Sequence, residues 1–450
     1  FNIAPGISNP SIGNTFTNND FSYTSAGGYG IYSTNGGNDL ISGNTFTNVS
    51  YGISYNGTYS TAGQTVRILS NTFNSGQQAI VISSSNAEAL ISTNTITSFS
   101  TGIDLSAYNG ASVTITHNTL NSISSVGIRT NSNATIYNNS LTLGSSATGI
   151  YSRNSVNVLI TRNTLSGGLI GIDSTGIIGP STWTAIGNAQ GDENRISGAT
   201  TGIQARGNAT VRFNRLTNNI TGIANDFGYS ANLTISNNIL SGNSTQGVLI
   251  SGSSVTTTSI LNNTIDTASG DGVRLTNSTR NVTLRNNIIW TRNGYCINVD
   301  TNSQVGFSSD FNNLYASAAG MIARWQKNFT DLFDWQVEAD FDANSIGYTA
   351  FAPSLDNPNF VNAGTGDFRL TPNGSTSINA GDPASAFDQE PSLGQGRINL
   401  GAYGNTSQAQ LGASSYLDIA YPNYYTDLEV TKSHTIRWRS HNLTGNVRVD

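Results

Sequence analysis

Charged residues recur directly after a Gly-Ile dipeptide at several points along this chain. The positions that follow the dipeptide hold Asp104, Arg129, Tyr151 and Asp173, with Arg153 and Arg206 nearby. Two carboxylates that flank a guanidinium group could carry out acid–base chemistry on a uronic sugar. The alternative is a solvated ladder of ion pairs on an outer strand, which contributes little to stability. If the chain is an enzyme, Asp104, Arg129 and Asp173 are its candidate catalytic residues.

Calcium is the one cofactor that the acidic residues suggest. The adjacent Asp192 and Glu193 are weak candidates for calcium ligands, as is the acidic pattern Asp266/Asp271, because Ca²⁺ prefers hard oxygen donors. Six or more oxygens must converge on that ion, whereas loop carboxylates more often only form turns. The single cysteine, Cys296, excludes an intrachain disulfide framework and a CxxC metal site.

A repeated phrase shows which elements must position these residues. The phrase is aliphatic-x-x-Asn-x-aliphatic, and its asparagines recur about every 20 to 25 residues, the period of a solenoid. They are Asn44, Asn71, Asn94, Asn118, Asn139, Asn163, Asn194, Asn214, Asn238, Asn263 and Asn287, with Asn14 and Asn312 as looser members. The Gly-Ile dipeptide follows each marker at a nearly constant distance. Equivalent positions should therefore stack on one another and share a face.

Alternation of apolar and polar residues identifies the solenoid as a parallel β-helix. Val113-Thr-Ile115 and Val282-Thr-Leu284 have the two-residue period of a strand and are rich in β-branched residues. We predict an all-β fold of about 12 coils, stacked at the roughly 4.8 Å spacing of paired strands. Phe16, Phe46 and Phe73 should lead an inward stack. The marker asparagines should form a side-chain ladder and turn the corner in a left-handed conformation.

Composition excludes two classes of partner. Only 10% of the residues are charged and the formal net charge is −6, so the chain has no basic stripe for nucleic acid. No apolar run approaches the roughly 20 residues of a membrane span. Several Asn-x-Ser/Thr sequons, including Asn48, Asn133, Asn208 and Asn281, are candidate glycosylation sites in a secreted protein. The abundance of Asn, Ser and Thr also predicts many sequons by chance.

The repeat words resemble those of the right-handed parallel β-helix repeat proteins of the pectin-lyase-like superfamily. "SNNILSGNSTQGVLI" and "LRNNIIW" are typical of these repeats, which cover residues 1–315. Residues from about 310 to 407, with "NPNFVNAGTGDFRLTP" and "INLGAYGN", resemble the segment that precedes assorted C-terminal anchors in secreted bacterial surface proteins. We interpret residues 316–410 as the cap of the solenoid. Residues 411–450 resemble the start of an immunoglobulin-like β-sandwich, which needs about 80 to 100 residues, so we expect the natural protein to continue.

The resemblance implies secretion and a surface location but carries no catalytic residue over. Relatives that cleave acidic polysaccharides use clustered acids with a basic residue, or paired aspartates with a histidine. The repeats contain only His117 among histidines and no lysine. Our leading hypothesis is a non-enzymatic structural or adhesive protein whose partners are copies of itself, other surface components or extracellular polysaccharide. The alternatives are a lyase or epimerase of acidic glycans and, remotely, an ice- or surface-binding solenoid suggested by Thr-x-Thr pairs such as Thr45/Thr47.

Overall fold

The computed structural model describes residues 7–9, 13–24, 27–34, 37–56, 65–83, 88–107, 112–153, 157–175, 183–226, 232–252, 257–391, 397–412, 416–421 and 429–441. The chain winds into a parallel β-helix of about 11 turns. Each turn contributes strands to three faces, because Gly, Asn and Ser corners interrupt the apolar–polar alternation. The predicted all-β solenoid is confirmed.

The first face holds the strands that begin directly after the marker asparagines. They are Asp20–Ser22, Thr119–Ile123, Ser140–Leu143, Thr164–Gly167, Arg195–Ser197, Arg215–Thr217, Ile239–Ser241 and Thr264–Thr267. The longest strands continue through the next corner onto the second face: Thr45–Tyr55, Thr72–Ile82, Thr95–Leu105, Ile288–Val299 and Asn313–Trp325. The predicted boundary at residue 315 therefore falls inside the last of these strands.

The second and third faces complete each turn. The second face also contains Ile7–Asn9, Tyr29–Ser33, Val126–Thr130, Thr148–Arg153, Ile170–Thr175, Thr201–Arg206, Thr221–Asp226, Gln246–Ser251 and Asp271–Thr276. The third face is a sheet of Thr15–Thr17, Leu40–Ser42, Thr65–Leu69, Glu88–Ser92, Val113–Thr116, Ala134–Tyr137, Asn157–Thr161, Trp183–Ile186, Ala209–Arg212, Leu233–Ser236, Thr258–Leu261, Val282–Arg285 and Ser308–Asp310. Every pairing between neighbouring turns on these faces is parallel among the strands described.

The core is one continuous stack of aliphatic side chains in the middle of the solenoid. Ile103, Ile128 and Ile150 are in register on the second face and are fully buried, as are Ile115 and Ile136 on the third. Each buried side chain of this size stabilises the fold by about 1.5–3 kcal/mol. Among the described residues these buried side chains form one connected apolar cluster along the solenoid.

Two details of the coil differ from the sequence predictions. The residue that adopts a positive φ precedes the marker asparagine, as at Ser70 (φ 55°), His117 (φ 54°) and Asn138 (φ 55°). The marker itself is therefore free to point inward. Phe16 does not lead the phenylalanine stack; it pairs with Ile41 on the third face, and Phe21 stacks on Phe46 at 5.0 Å instead.

Glycine in the Gly-Ile dipeptide is required by close packing between turns. A Cβ on Gly127 would lie 2.5 Å from the carbonyl oxygen of Gly149 and 2.5 Å from Cδ2 of Leu141. The carbonyl oxygen belongs to the backbone of the next turn, so it cannot withdraw unless that turn moves. Cys296 holds the equivalent position at the last turns, where it is fully buried, and burial raises the pKa of its thiol.

The C-terminal region packs against both the end and the side of the solenoid. The strand Lys327–Phe329 and the helix Leu332–Ala339, which Asp331 caps through the backbone N–H of Phe333, close the end with the buried ring of Trp335. Residues 351–391 and 397–412, here called the covering segment, instead lie along the first face. They contain the antiparallel strands Phe360–Asn362 and Asp367–Leu370 and the short helix Ala363–Thr365.

Hydrogen bonds and small apolar clusters hold the covering segment on the coils. Arg215 donates to the carbonyl oxygen of Gly366 at 2.8 Å, and the Asn237 side chain donates to that of Gly404 at 2.9 Å. Ile239 and Phe368 share one apolar cluster. The predicted cap thus divides into an end closure and a lateral cover.

The remaining elements of the described residues are a turn of 3-10 helix at Thr301–Ser303, the two-residue strand Ile346–Gly347, and an antiparallel pair, Tyr416–Tyr421 with Arg437–His441. Residues 413–415, 422–428 and 442–450 of the predicted β-sandwich start lie outside the described residues.

Candidate functional site

The marker asparagines form one buried hydrogen-bonded ladder along the solenoid. Each side-chain amide nitrogen donates to Oδ1 of the next marker, at 3.0 Å from Asn139 to Asn163 and 2.8 Å from Asn194 to Asn214. The backbone N–H of each marker usually donates to the same oxygen, as from Asn118 to Asn139 at 3.0 Å. The ladder includes all eleven residues predicted from Asn44 to Asn287 and extends to Asn19 and Asn312.

The ladder has a direction and ends on a carboxylate. All amide nitrogens point toward the C-terminal end, so their dipoles align as peptide dipoles do in a helix. At that end Asn312 donates to Oδ1 of the buried Asp342 at 3.0 Å, and Trp335 donates to Oδ2 at 2.9 Å. Burial raises the pKa of Asp342, although Ser345, Trp335 and Asn312 donate hydrogen bonds that oppose the rise. Asn14 is not a member, because it donates to the buried Asp39 on another corner.

The charged column on the second face resolves into two separate ion pairs. Asp104 accepts a hydrogen bond from Arg129 at 3.1 Å and from Gln78 at 3.3 Å. Its side chain is only 6% exposed, whereas that of Arg129 is 30% exposed. The Arg129 guanidinium also lies 6.0 Å from the ring centre of Tyr151 on the next turn.

Asp173 belongs to the second pair. Both of its carboxylate oxygens lie 3.3 Å from Nη1 of Arg206, so Arg129 does not bridge the two aspartates. The register places Asp104, Arg129, Tyr151 and Asp173 on four successive turns. Three coil spacings separate the carboxylates by about 14 Å.

That separation limits what the column can do chemically. Carboxylate pairs that act together on a glycosidic bond stand about 5 to 10 Å apart. Asp104 and Asp173 are farther apart, and each is oriented by its own arginine. The arrangement is therefore that of two structural ion pairs on one face.

The calcium candidates also contact arginines. Asp192 Oδ1 lies 2.7 Å from Nη2 of Arg162, and Glu193 contacts Arg195 and lies 3.7 Å from Arg215. Within the described part of the chain, no three His, Cys, Asp or Glu side chains converge so that they could hold a metal ion.

Three of the four glycosylation candidates named above lie at one corner of the solenoid. Asn133, Asn208 and Asn281 each directly precede a strand of the third face. The amide oxygens of Asn133 and Asn208 accept hydrogen bonds from the backbone N–H groups of Asn157 (3.0 Å) and Asn232 (2.9 Å) on the following turns. Asn48 lies elsewhere, where its nitrogen donates to Tyr23 and its oxygen accepts from Ser75. The Asn-x-Thr pattern at the third-face corner thus has a structural reason.

Sequence reasoning missed two groupings that depend on distant segments. Asp271, Arg274, Asn298 and Asp300 meet near the end of the second face, where Arg274 lies 2.7 Å from Asp300 and Asn298 donates to Asp271 at 2.8 Å. Burial raises the pKa of Asp271. The other grouping is a cleft between the coils around Arg215 and the covering segment around Tyr403. The acidic pattern Asp266/Asp271 was the one available signal for the first, and no local signal marks the second.

Two family models match the chain. Residues 124–289 match the model described as right handed beta helix region, and residues 4–189 match the model described as periplasmic copper-binding protein (NosD). The two matches overlap at residues 124–189 and together span residues 4–289. A search of curated proteins found no match.

The donor atoms of the matched residues 4–189 do not fit a copper site. Copper in proteins is held mainly by thiolate, thioether and imidazole ligands. Residues 4–189 contain one histidine, His117, and neither cysteine nor methionine. His117 Nδ1 is 2.7 Å from Oγ1 of Thr116, and Nε2 is 3.3 Å from the Asn138 amide. Cys296 lies in the core on later turns, out of reach of an exposed ion.

Among the described residues, no helix is both long and apolar enough to cross a membrane.

Proposed function

Because the chain is a right-handed parallel β-helix repeat protein, we propose that it works outside the cytoplasm as a non-enzymatic structural or adhesive protein. The match to a periplasmic family and the low charge of the faces support an extracytoplasmic location. The cell surface is the location we propose, in agreement with the C-terminal words that resemble anchored proteins. Its partners are copies of itself, other surface components or extracellular polysaccharide.

The observation that carries this proposal is the separation of the acidic side chains on the second face. Asp104 and Asp173 are held by different arginines on turns about 14 Å apart. Two carboxylates so placed cannot act on the same bond as acid and base. Regular repetition instead supplies a rigid body, since each turn is fixed by backbone ladders, the asparagine ladder and a filled core.

The competing function, a lyase or epimerase of acidic glycans, has a direct test. The full chain is incubated with pectate, alginate or hyaluronan, and the ultraviolet absorbance of unsaturated product and the uronate epimer ratio by NMR are followed. We expect no change above buffer. Turnover that disappears in Asp104→Asn but persists in Asp192→Asn, a matched carboxylate on another corner, would establish the enzymatic alternative instead.

Adhesion and assembly are tested on the same material. Electron microscopy of the concentrated full chain tests whether copies associate laterally, which the scarcity of charge favours because little charge must be desolvated. Binding of labelled protein to intact bacterial cells and to purified extracellular polysaccharide tests adhesion. Dispersed monomers that bind neither would refute both forms of the proposal.

A further inference from the structure

A cleft lies where the covering segment reaches back along the first face. The cavity has a volume of about 180 Å³ and is partly open to solvent. Gln190, Glu193, Phe213 and Arg215 line it from the coils, and Tyr403 and Gln408 line it from the covering segment. Sites for drug-sized ligands are about 300–1,000 Å³. This smaller cavity fits a molecule built on one six-membered ring.

Opposite charges in the cleft are already oriented by the protein. Glu193 contacts Arg195, and its Oε2 lies 3.7 Å from Nε of Arg215. Arg215 is fixed in turn, because it donates to the carbonyl oxygen of Gly366 at 2.8 Å. The Glu193 side chain remains 30% exposed, which leaves it acceptor capacity toward the cleft. The formal charges of Glu193 and Arg215, the two charged residues that line the cavity, cancel, so an uncharged polar ligand fits best.

An aromatic ring lines the cleft at a backbone position that does not favour one. Phe213 has a φ of 56°, the left-handed region that is unfavourable for a bulky side chain. The equivalent corner of other turns holds smaller residues such as Ser70, Asn138 and Asn237, and it holds a phenylalanine once more, at Phe311 with a φ of 56°. A ring is therefore unnecessary for the turn itself, and such strain is common at functional positions. Its local support is the Arg212 guanidinium, 5.1 Å from the ring centre.

Tyr403 adds a second ring and a hydroxyl group. Burial is the main cause that raises the pKa of this phenol, and the neighbouring Arg215 opposes the rise. The hydroxyl group therefore stays protonated and can donate a hydrogen bond. Side-chain amides at Gln190 and Gln408 supply further donors and acceptors around the same cavity.

Aromatic rings beside a carboxylate, a guanidinium and amides match the chemistry of a sugar. The C–H face of a pyranose packs on a ring, and its hydroxyl groups donate to carboxylates and accept from guanidinium and amide groups. We propose that this cleft binds a single neutral pyranose residue of an extracellular glycan. The proposal rests on the adhesive function proposed above and identifies the group through which the protein would adhere.

Methyl glycosides of glucose, galactose, mannose and N-acetylglucosamine are the probes. Each is titrated into the full chain, and binding is followed by saturation-transfer NMR and calorimetry. We expect at least one probe to bind, and Glu193→Gln to weaken that binding about tenfold, because a charged hydrogen-bond acceptor is replaced by a neutral one. Asp192→Asn is the matched control: it makes the same charge change at the adjacent residue, which does not line the cleft.

Gln408→Ala is a second variant that keeps the test decisive if Glu193→Gln disturbs the fold. Its side chain is exposed, so the substitution should leave the far-ultraviolet circular dichroism unchanged while it weakens binding. The proposal is overturned if no probe binds, or if Asp192→Asn weakens binding as much as the cleft variants do. A chain that adheres to cells but binds no sugar would overturn the cleft proposal alone and leave the adhesive function standing.

Discussion

Truncation of one rung of the asparagine ladder should loosen the middle of the solenoid. Asn139 is 2% exposed, and its amide makes five contacts within hydrogen-bond distance. Asn139→Ala removes all five. The backbone N–H of Asn118 is then left buried without another acceptor among the described residues, whereas the Asn118 side chain retains the carbonyl oxygens of Ile91 and Thr116.

The expected loss is about 3 kcal/mol of the free energy that holds these turns closed. An orphaned buried donor costs about 1–3 kcal/mol, and the lost bonds and side-chain volume add to it. In a solenoid the effect stays near the altered turn, because each repeat contacts only its neighbours. Since 1.4 kcal/mol corresponds to a factor of ten, amide protons of Ser140–Leu143 should exchange about 100-fold faster.

Hydrogen–deuterium exchange read by mass spectrometry checks this prediction. The matched control is Asn138→Gly, at the adjacent residue, where φ is 55° and glycine is favourable. We expect exchange within about threefold of the natural chain in that control. Equal acceleration in both variants, or less than tenfold acceleration in Asn139→Ala, would refute the idea that buried amide bonds hold the turns together.

Three further predictions concern packing, pH and metal. Gly127→Ala should destabilise the chain by about 1–3 kcal/mol in urea unfolding, because its Cβ meets atoms 2.5 Å away; Gly364→Ala, whose nearest neighbour is 3.4 Å away, should change it by less than about 0.5 kcal/mol. Burial raises the pKa of Asp342, so the folded chain binds that proton more tightly than the unfolded chain does. Stability should therefore fall as pH rises through the folded-state pKa. In Asp342→Asn the urea midpoint should depend less on pH over that range, and an unchanged dependence would contradict the role of Asp342 in the fall. Equilibrium dialysis with Cu²⁺ and Cu⁺ should show no stoichiometric binding to the natural chain or to His117→Ala. Copper binding by the natural chain that His117→Ala abolishes would contradict the conclusion that its donor atoms do not fit copper.

Much of the fold was predictable because the repeat leaves a periodic signature. The marker asparagines and the Gly-Ile dipeptides recur at a nearly constant distance, and a parallel stack of strands is the structure that superposes them. The pairing of Asp104 with Arg129 on neighbouring turns follows directly from that spacing. Local alternation in Val113–Thr116 likewise identifies the inward residues.

The cleft and the lateral cover were not predictable in this way. Arg215 and Gly366 are 151 residues apart, and no period links them. Asp173 pairs with Arg206 on the following turn, two residues beyond its register partner Gln204, and the reach of that side chain is not specified by the spacing of the repeat. The sequence prediction also gave the left-handed conformation to the marker asparagine, whereas the residue before it adopts that conformation. The two positions are hard to tell apart by residue type, because asparagine occupies both in pairs such as Asn138-Asn139.

One repeated word separates what the sequence determined from what the tertiary structure decided. "GNTFT" occurs at residues 13–17 and again at 43–47, and both copies place a positive-φ glycine two residues before the first threonine of a strand. The word by itself determines that local turn and strand, because glycine, asparagine and β-branched threonine favour them. It does not determine the face: Phe16 pairs with Ile41 on the third face, whereas Phe46 stacks on Phe73 on the first. Hydrogen bonds to the following coil decide the face. In the first copy the Asn14 side chain donates to Asp39, whereas in the second copy the Asn44 side chain donates to the ladder residue Asn71.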